Sequence, residues 1–258
     1  MSRHVDLVAD LGEGFGSWQM GDDAALLDIV SSANIACGFH AGDPRIMDRI
    51  TASCVARGVS VGAHPSFPDL VGFGRRTVDA TPEEVRTDIL YQLGALQAFA
   101  RAHGGQVAHL APHGRLGNLV AVREDYAKAV VDAVTSVDPD LIVLAQDGAL
   151  AEQAAAAGVP VAVVGIADRA YLSDGTLVPR SEPGAVISDG EEIARRAVRI
   201  VRDGLIETVD GADLTIRADT ILLHGDSSEA VMTSALVREQ LVAAGIAILP
   251  LDASRLRS

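Results

Sequence analysis

Short apolar runs alternate along this chain with longer stretches in which apolar residues recur at helical spacing. The runs predict strands near 5–10, 33–39, 60–64, 108–112, 141–146, 161–167, 219–224 and 246–250. The longer stretches predict helices near 22–31, 44–57, 82–103, 122–136, 148–157, 189–203 and 228–243. Punctuation supports these boundaries. Thr81, Pro82 and Glu84 form a capping-box start, Pro44 follows a capping Asp43, and Gly58, Gly104, Gly158, Gly204 and Gly245 stand where helices close. Two segments, 65–80 and 169–188, are long Pro-, Gly- and Arg-bearing loops that read as site walls, and 206–218 reads as a hairpin turning at Asp210–Gly211. Strand–helix alternation from end to end, with no linker and no repeat, predicts one α/β domain over residues 1–258.

Polar residues collect just past the apolar runs. His40 lies in GFHAGD, His64 in GAHPS, His113 in APHG and His224 in LLHGD, while Asp10 and Glu13 follow the first run and Asp168 follows the sixth. An open α/β sheet concentrates its site at one switch point, whereas a closed barrel draws on every strand end. Polar motifs at six strand ends therefore predict a distorted TIM-like barrel of seven or eight βα units, with its chemistry at one mouth. Asp43 is an ordinary helix cap, and His103 sits at a helix end where its charge suits the dipole. His109 and His113 are four apart, but Pro112 breaks any helix between them, so they are not a helical zinc pair, and His109 is placed as a supporting partner. Arg75, Arg76, Arg169 and Arg180 in the long loops suit bidentate pairing with an anionic small substrate.

Composition narrows the chemistry. The 258 residues carry a formal charge of -14, which argues against nucleic acid or an anionic membrane as partner. Only Lys128 among the basic residues is lysine, and it falls mid-helix, which excludes a P-loop and a strand-end Schiff base. The glycines of DLGEGFG run 12, 14, 16, which is not a dinucleotide fingerprint. No G-x-S-x-G elbow, CxxC or EF-hand loop is present, and Cys37 reads as core. Two cysteines make no disulfide scaffold, and no apolar stretch reaches the length of about 18 residues that a membrane span needs. The expectation is a cytoplasmic enzyme that performs acid–base work on water with carboxylates and imidazoles, with or without a divalent metal.

The blocks ANIACGFHAGDP (33–44), GAHPSFPDLVGFGRR (62–76), ADRAYLSDGTLVPRSEPGAVI (167–187) and HGD (224–226) resemble the LamB/YcsF family, which supplies the A subunit of the prokaryotic ATP-dependent 5-oxoprolinase. The resemblance implies a barrel similar to those of glycoside hydrolases and carbohydrate deacetylases. It also implies hydrolytic opening of 5-oxoproline to glutamate with ATP, beside partner subunits B and C. Carried over, it points to Asp10, Glu13, His40, His64, His113, Asp168 and His224 as catalytic residues. Arg75, Arg76, Asn118, Arg169 and Asp226 are the implied substrate contacts. The alternatives are a metal-dependent hydrolase of deacetylase type, with Asp10 and two histidines as ligands, and a non-catalytic lactam-binding subunit. The chain departs from the family pattern at Gly12, Ala111, Arg115, Gly117 and Val164, where Asn, Lys, Ala, Tyr and Glu are usual, so a shifted substrate or reduced activity is expected.

Overall fold

The computed structural model describes residues 3–224 and 229–256. Ten strands occur among them: β1 (His4–Leu11), β2 (Ser32–Ala36), β3 (Ser60–His64), β4 (Val107–Leu110), β5 (Ile142–Ala145), β6 (Val161–Ile166), β7 (Leu205–Glu207), β8 (Asp213–Thr215), β9 (Thr220–Leu223) and β10 (Ala247–Ile248). The helices are α1 (Asp23–Leu27), α2 (Pro44–Arg57), α3 (Pro82–Ala102), α4 (Gly114–Val120), α5 (Glu124–Val137), α6 (Ala149–Ala156), α7 (Gly190–Asp203), α8 (Ala230–Ala243) and α9 (Ala253–Leu256). Strands β1 to β6 follow one another in parallel, and β9 pairs with both β6 and β1, closing a seven-stranded barrel. No helix among the described residues is long and apolar enough to cross a membrane.

The run at 246–250 does form a strand, but not an eighth stave. β10 meets β1 only at His4 and Val5, on the edge that β2 takes up further along, because β9 pairs directly with both β6 and β1 and leaves no gap for an eighth stave. A strand edge offers its hydrogen bonds to one neighbour at a time, so closure stops at seven. The expected hairpin is present as the antiparallel pair β7–β8. α4 is not legible as a helix in the sequence, since Gly114 and Gly117 are poor helix formers. Tertiary contact holds its start instead, with Arg115 N–H donating to the Gly74 carbonyl at 2.8 Å.

Alternation along each strand decides what enters the barrel. On β1, Leu7, Ala9 and Leu11 belong to the apolar core, while Asp6, Val8 and Asp10 form the other face of the strand. Asp6 lies at the floor. Its carboxylate accepts from the hydroxyls of Ser31 at 2.7 Å, Ser32 at 2.6 Å and Thr220 at 2.7 Å. Since β1 joins β2 to β9, this buried carboxylate ties together the three strands at which the barrel closes. Burial nonetheless raises the Asp6 pKa above its ordinary value, even against those three hydroxyl donors.

Asp6→Ala is therefore expected to cost about 3 kcal/mol in urea unfolding, because the buried hydroxyls of Ser32 and Thr220 and the half-buried one of Ser31 lose an acceptor. Asp6→Asn keeps an acceptor and a donor and should retain most of that stability. The folded chain holds the Asp6 proton more tightly than the unfolded chain does. The group's contribution to stability therefore declines as pH rises from the ordinary carboxyl value through the raised one. The Asn variant should lack that decline.

Candidate active site

The strand ends converge on one mouth, and the turns that follow them fold back over it. After β1 the chain turns through Gly12, in the left-handed region at φ 70°, and brings Glu13 beside the barrel axis. β2 stops at Ala36 rather than running to residue 39, because Gly38 (φ 94°) and Gly42 (φ 78°) reverse the chain and return His40 to the mouth. The Gly42 N–H donates to the Gly14 carbonyl at 2.7 Å and locks these two turns together. Asp43 caps α2, as expected, and also accepts from the Gly16 N–H. At β3 and β4, the Ala111 N–H donates to the Ala63 carbonyl and the His113 N–H to the Pro65 carbonyl, which sets His64 against His113.

Asp10, Glu13, His40, His64 and His113 are all buried within this single cluster. The His40 and His113 rings stack at 3.8 Å between centroids, nearly parallel, and His64 stands edge-on to both. Two backbone carbonyls orient the imidazoles. His64 Nδ1–H donates to the Ala111 carbonyl at 2.6 Å, and His113 Nε2–H donates to the Phe73 carbonyl at 2.9 Å. His64 Nε2 and His113 Nδ1 then face each other at 2.9 Å. Two lone pairs cannot hold that distance, so a cation or a proton lies between these nitrogens.

Charge assigns the proton to His64. Burial works against its charged form, but Asp10, with Oδ1 at 3.4 Å, and Glu13 outweigh burial and raise the His64 pKa. Burial and the His64 charge together push His113 down to about 3, and burial with the neighbouring imidazoles also holds His40 well below its ordinary value. Burial likewise opposes the Asp10 carboxylate, yet His64 outweighs it and leaves Asp10 below the usual carboxylate range. The cluster thus holds an imidazolium against carboxyl groups, with two neutral imidazoles beside it.

Asn34 lies in the ANIACGFHAGDP block but is not among the site residues expected from the sequence. Its Nδ2 donates to Asp10 Oδ1 at 2.9 Å, and its Oδ1 accepts from His109 Nε2–H at 2.9 Å. His109, driven to about 3 by burial, stays neutral and steers Asn34, which in turn fixes Asp10. Gly62 makes room for this relay, since a Cβ there would lie 1.9 Å from His109 Nε2. The available signal is the even spacing of Ser32, Asn34 and Ala36 on β2, which places Asn34 on the same face as Ser32.

The loop residues divide. Arg76 does not stand toward the mouth: its Nε donates to Asp69 Oδ1 at 2.8 Å, and the buried Asp69 carboxylate also accepts from the Gly72 and Arg76 N–H groups. Arg169 is buried and donates to the carbonyls of Ala185 at 3.0 Å and Val178 at 2.5 Å. Both arginines brace the long loops, because a buried carboxylate and buried carbonyls need donors. Both are expected as substrate contacts, and both are already engaged by these partners, with the Arg76 side chain otherwise largely exposed. Arg75 lies over the Phe73 ring at 4.9 Å from its centroid. Asp168 and His224 pair at 2.6 Å on the β6–β9 side, and Arg180 reaches His224 Nε2 at 2.9 Å. Burial opposes the charged form of His224, but Asp168 raises its pKa, and its charge also reaches Asp10. Asn118 is exposed on α4, outside the cluster. Asp226 lies outside the described residues.

A cavity of about 530 Å³, measured out to its opening, runs from His64 and Asn34 across the barrel top toward α4 and α6. Ala111, Gly117 and Val164, three of the five departures from the family pattern, line it together. On the other side, Glu13, His40, His64 and His113 each offer a donor atom within 4.8 Å of the others. Three imidazole nitrogens and a carboxylate suit a divalent transition metal, and carbonyl-anchored rings such as His64 and His113 are typical of such ligands. The set contains Glu13 where the sequence points to Asp10, since Asp10 Oδ1 is already engaged by Asn34 and His64.

Residues 5–256 match the LamB/YcsF family. The chain is 47% identical over 250 residues to the 5-oxoprolinase A subunit of Syntrophobacter fumaroxidans, covering 96% of this chain and 99% of that protein. It is 48% identical over 248 residues to the corresponding protein of Pyrococcus furiosus, covering 96% and 97%. Among solved structures it is similar to a lactam utilization protein from Thermus thermophilus. There the TM-score is 0.92 at 44% identity, covering 96% of this chain and 100% of that one. A family 4 carbohydrate esterase from Streptomyces lividans shares the fold alone, with a TM-score of 0.51 at 12% identity over 98% of this chain and 95% of that one.

The relay through Gly62 can be tested without an activity assay. Gly62→Ala is expected to lose about 1–3 kcal/mol in urea unfolding through overpacking against the His109 ring. In a double-mutant cycle with His109→Ala, the Gly62→Ala penalty should largely vanish. Strict additivity would mean that the His109 ring is not what Gly62 accommodates.

Proposed function

The chain belongs to the LamB/YcsF family, and we propose that it is the hydrolytic A subunit of a 5-oxoprolinase, opening 5-oxo-L-proline to L-glutamate beside partner subunits B and C. The observation that carries this reading is the convergence of Asp10, Glu13, His64 and His113 in one buried mouth, next to a cavity that reaches His64. A lactam resists water because its nitrogen lone pair is delocalised into the carbonyl, and a phosphoryl group placed on that oxygen would weaken this resistance. With Lys128 as its single lysine, paired to Asp132 on α5, the chain has no P-loop equipment. ATP is therefore used with the partner subunits, and the barrel holds the ring for attack by water.

In this reading Glu13 takes the proton of the attacking water, while Asp10, fixed by Asn34, sustains the His64 imidazolium. His64 polarises the carbonyl and returns a proton to the leaving nitrogen. Water oxygen bonds to the carbon that carries the phosphorylated oxygen, the carbon–nitrogen bond breaks with nitrogen leaving as an amine, and a second water displaces inorganic phosphate from the acyl phosphate that results. The sequence reading assigns water activation to Asp10, Glu13 and a histidine such as His64, and the acid to His113 or His224. Burial keeps His113 neutral, so the acid role moves to His64. The substrate carboxylate falls to Arg75 or Arg180 at the rim, since Arg76 and Arg169 brace loops. Free Cys37 and Cys54, both buried, suit the reducing cytoplasm.

A second reading has its own observation, the donor set of Glu13, His40, His64 and His113. A divalent metal held there would supply Lewis acidity to the carbonyl, and this chain would then resemble the deacetylase-type hydrolases in chemistry as well as fold.

Four measurements test these readings. In the enzyme assembled with its partners, ATP and 5-oxoproline, His64→Ala and Asp10→Ala should each lower kcat by about 10² or more, and unchanged turnover would end the assignment. Because the His64 pKa is raised above 6.5, kcat should fall on the alkaline side of that value as the imidazolium is lost. His113, near 3, should contribute no acid limb in the neutral range. Elemental analysis after chelation and refilling selects the metal reading if one ion per chain returns together with activity, and His40→Ala should then lose the ion. Lactam binding without turnover in the complete complex would instead indicate a binding subunit.

A further inference from the structure

For a lactam hydrolase, the reading on which this inference rests, the amide edge of the ring is what a binding group has to recognise. A small lactam ring holds its amide cis, so the N–H donor and the carbonyl acceptor stand on one edge. An open-chain secondary amide is trans and presents them on opposite edges. Four positions form one row of pairing partners across β1 to β4: Asp10 opposite Asn34, Asn34 opposite Gly62, and Gly62 opposite His109. The third position has no side chain, so the His109 ring reaches across β3 to Asn34. Asn34 is thereby held from both sides. Its Nδ2 donates to Asp10 Oδ1, and its Oδ1 accepts from His109 Nε2–H. A carboxylate only accepts, which fixes the amide nitrogen on the Asp10 side. His109 Nδ1 is buried and has no hydrogen-bond partner among the described residues, so the ring proton stays on Nε2, where it has an acceptor.

A primary carboxamide has two N–H donors and two acceptor lone pairs. Asp10 takes one donor and His109 one lone pair, and among the described residues neither atom has a further partner. One Nδ2–H and one Oδ1 lone pair remain, on a buried side chain that lines the cavity beside His64. One donor next to one acceptor is the complement of a cis amide edge. We propose that Asn34 is the residue that recognises the lactam, its Nδ2–H donating to the ring carbonyl and its Oδ1 accepting from the ring N–H. His109 is then a positioning residue that keeps the carboxamide from turning over. Ring opening replaces the cis edge by a carboxylate, which has acceptors alone and meets Oδ1 lone pair against lone pair. The same contact that holds the substrate therefore holds the product less well.

Titration calorimetry of the purified chain tests this with 5-oxoproline and 5-oxotetrahydrofuran-2-carboxylate, the lactone in which a ring oxygen replaces the N–H. The wild-type chain should bind the lactam about 100-fold or more tightly than the lactone, because the lactone oxygen cannot donate to Oδ1. Asn34→Ala should narrow that ratio below about tenfold. His109→Leu, which removes the donor that orients Asn34, should narrow it as well, and His109→Gln, which offers an amide N–H instead, should restore most of it. A merely structural role for either residue would weaken both ligands alike and leave the ratio standing. Thermal melting checks that each variant is folded, and the wild-type ratio with the His109 pair decides if Asn34→Ala is not. Equal binding of lactam and lactone by the wild-type chain, or a ratio that folded Asn34→Ala or His109→Leu leaves intact, overturns the inference and spares the lactam-hydrolase reading. Failure of the wild-type chain to bind 5-oxoproline overturns both.

Discussion

Two backbone carbonyls, those of Ala111 and Phe73, determine the chemistry of this mouth. Each takes the proton of one imidazole nitrogen, so the other nitrogens of His64 and His113 face each other at 2.9 Å. That separation requires a cation between them, whether a proton or a metal. The protonic form needs anions close by, which Asp10 and Glu13 provide, and the metallic form needs a further imidazole and a carboxylate, which His40 and Glu13 provide. Either way, the loop that carries Phe73 is part of the site. Phe73 is a non-glycine residue at φ 53°, and Gly74 beside it packs so closely that a Cβ would meet Ser66, His113 and His40. The ion pair of Asp69 and Arg76 stabilises that loop, which explains why an arginine that looks like a substrate clamp in the sequence performs a structural task.

The barrel places polar groups at both of its ends and apolar groups between. β1 shows this within one strand: Asp6 joins the hydroxyls of the floor, Val8 walls the cavity, and Asp10 enters the cluster at the mouth. β2 repeats it, with Ser32 bonded to Asp6 and Asn34 to Asp10. β9 follows the same layers, from Thr220 through Leu222 to His224 just beyond the strand. The middle layer stays aliphatic at Val8, Val164 and Leu222, and so the site presents charge on one side of a substrate and hydrocarbon on the other. A reaction that must polarise one amide while excluding water from the rest of the ring benefits from that division.

Most of the architecture is legible in the pattern, because strand and helix periods differ and each apolar run has to be buried. Seven of the eight expected strands become staves, and three of the four strand-end histidines, His40, His64 and His113, meet, while His224 pairs with Asp168 on the β6–β9 side. The exceptions have physical reasons. α4 carries two glycines and exists through contacts with the 65–80 loop. β10 loses its place because β9 pairs directly with both β6 and β1 and leaves no gap between them. Loop position alone marks Arg169 and Arg76 as substrate contacts, and nothing local in the chain reveals that buried carbonyls and Asp69 claim them.

By itself, then, the sequence determined the alternation of elements, the closed parallel sheet and the residue types that arrive at its mouth, because these follow from local spacing and short-range turn chemistry. Only the tertiary structure decided which nitrogen of each histidine is free, that Asn34 and His109 stand behind Asp10, and that Ala111, Gly117 and Val164 share one cavity. Hydrogen-bond direction and proton affinity depend on partners brought from distant stretches of chain, and on the water excluded when they meet. Neither is encoded at any single position.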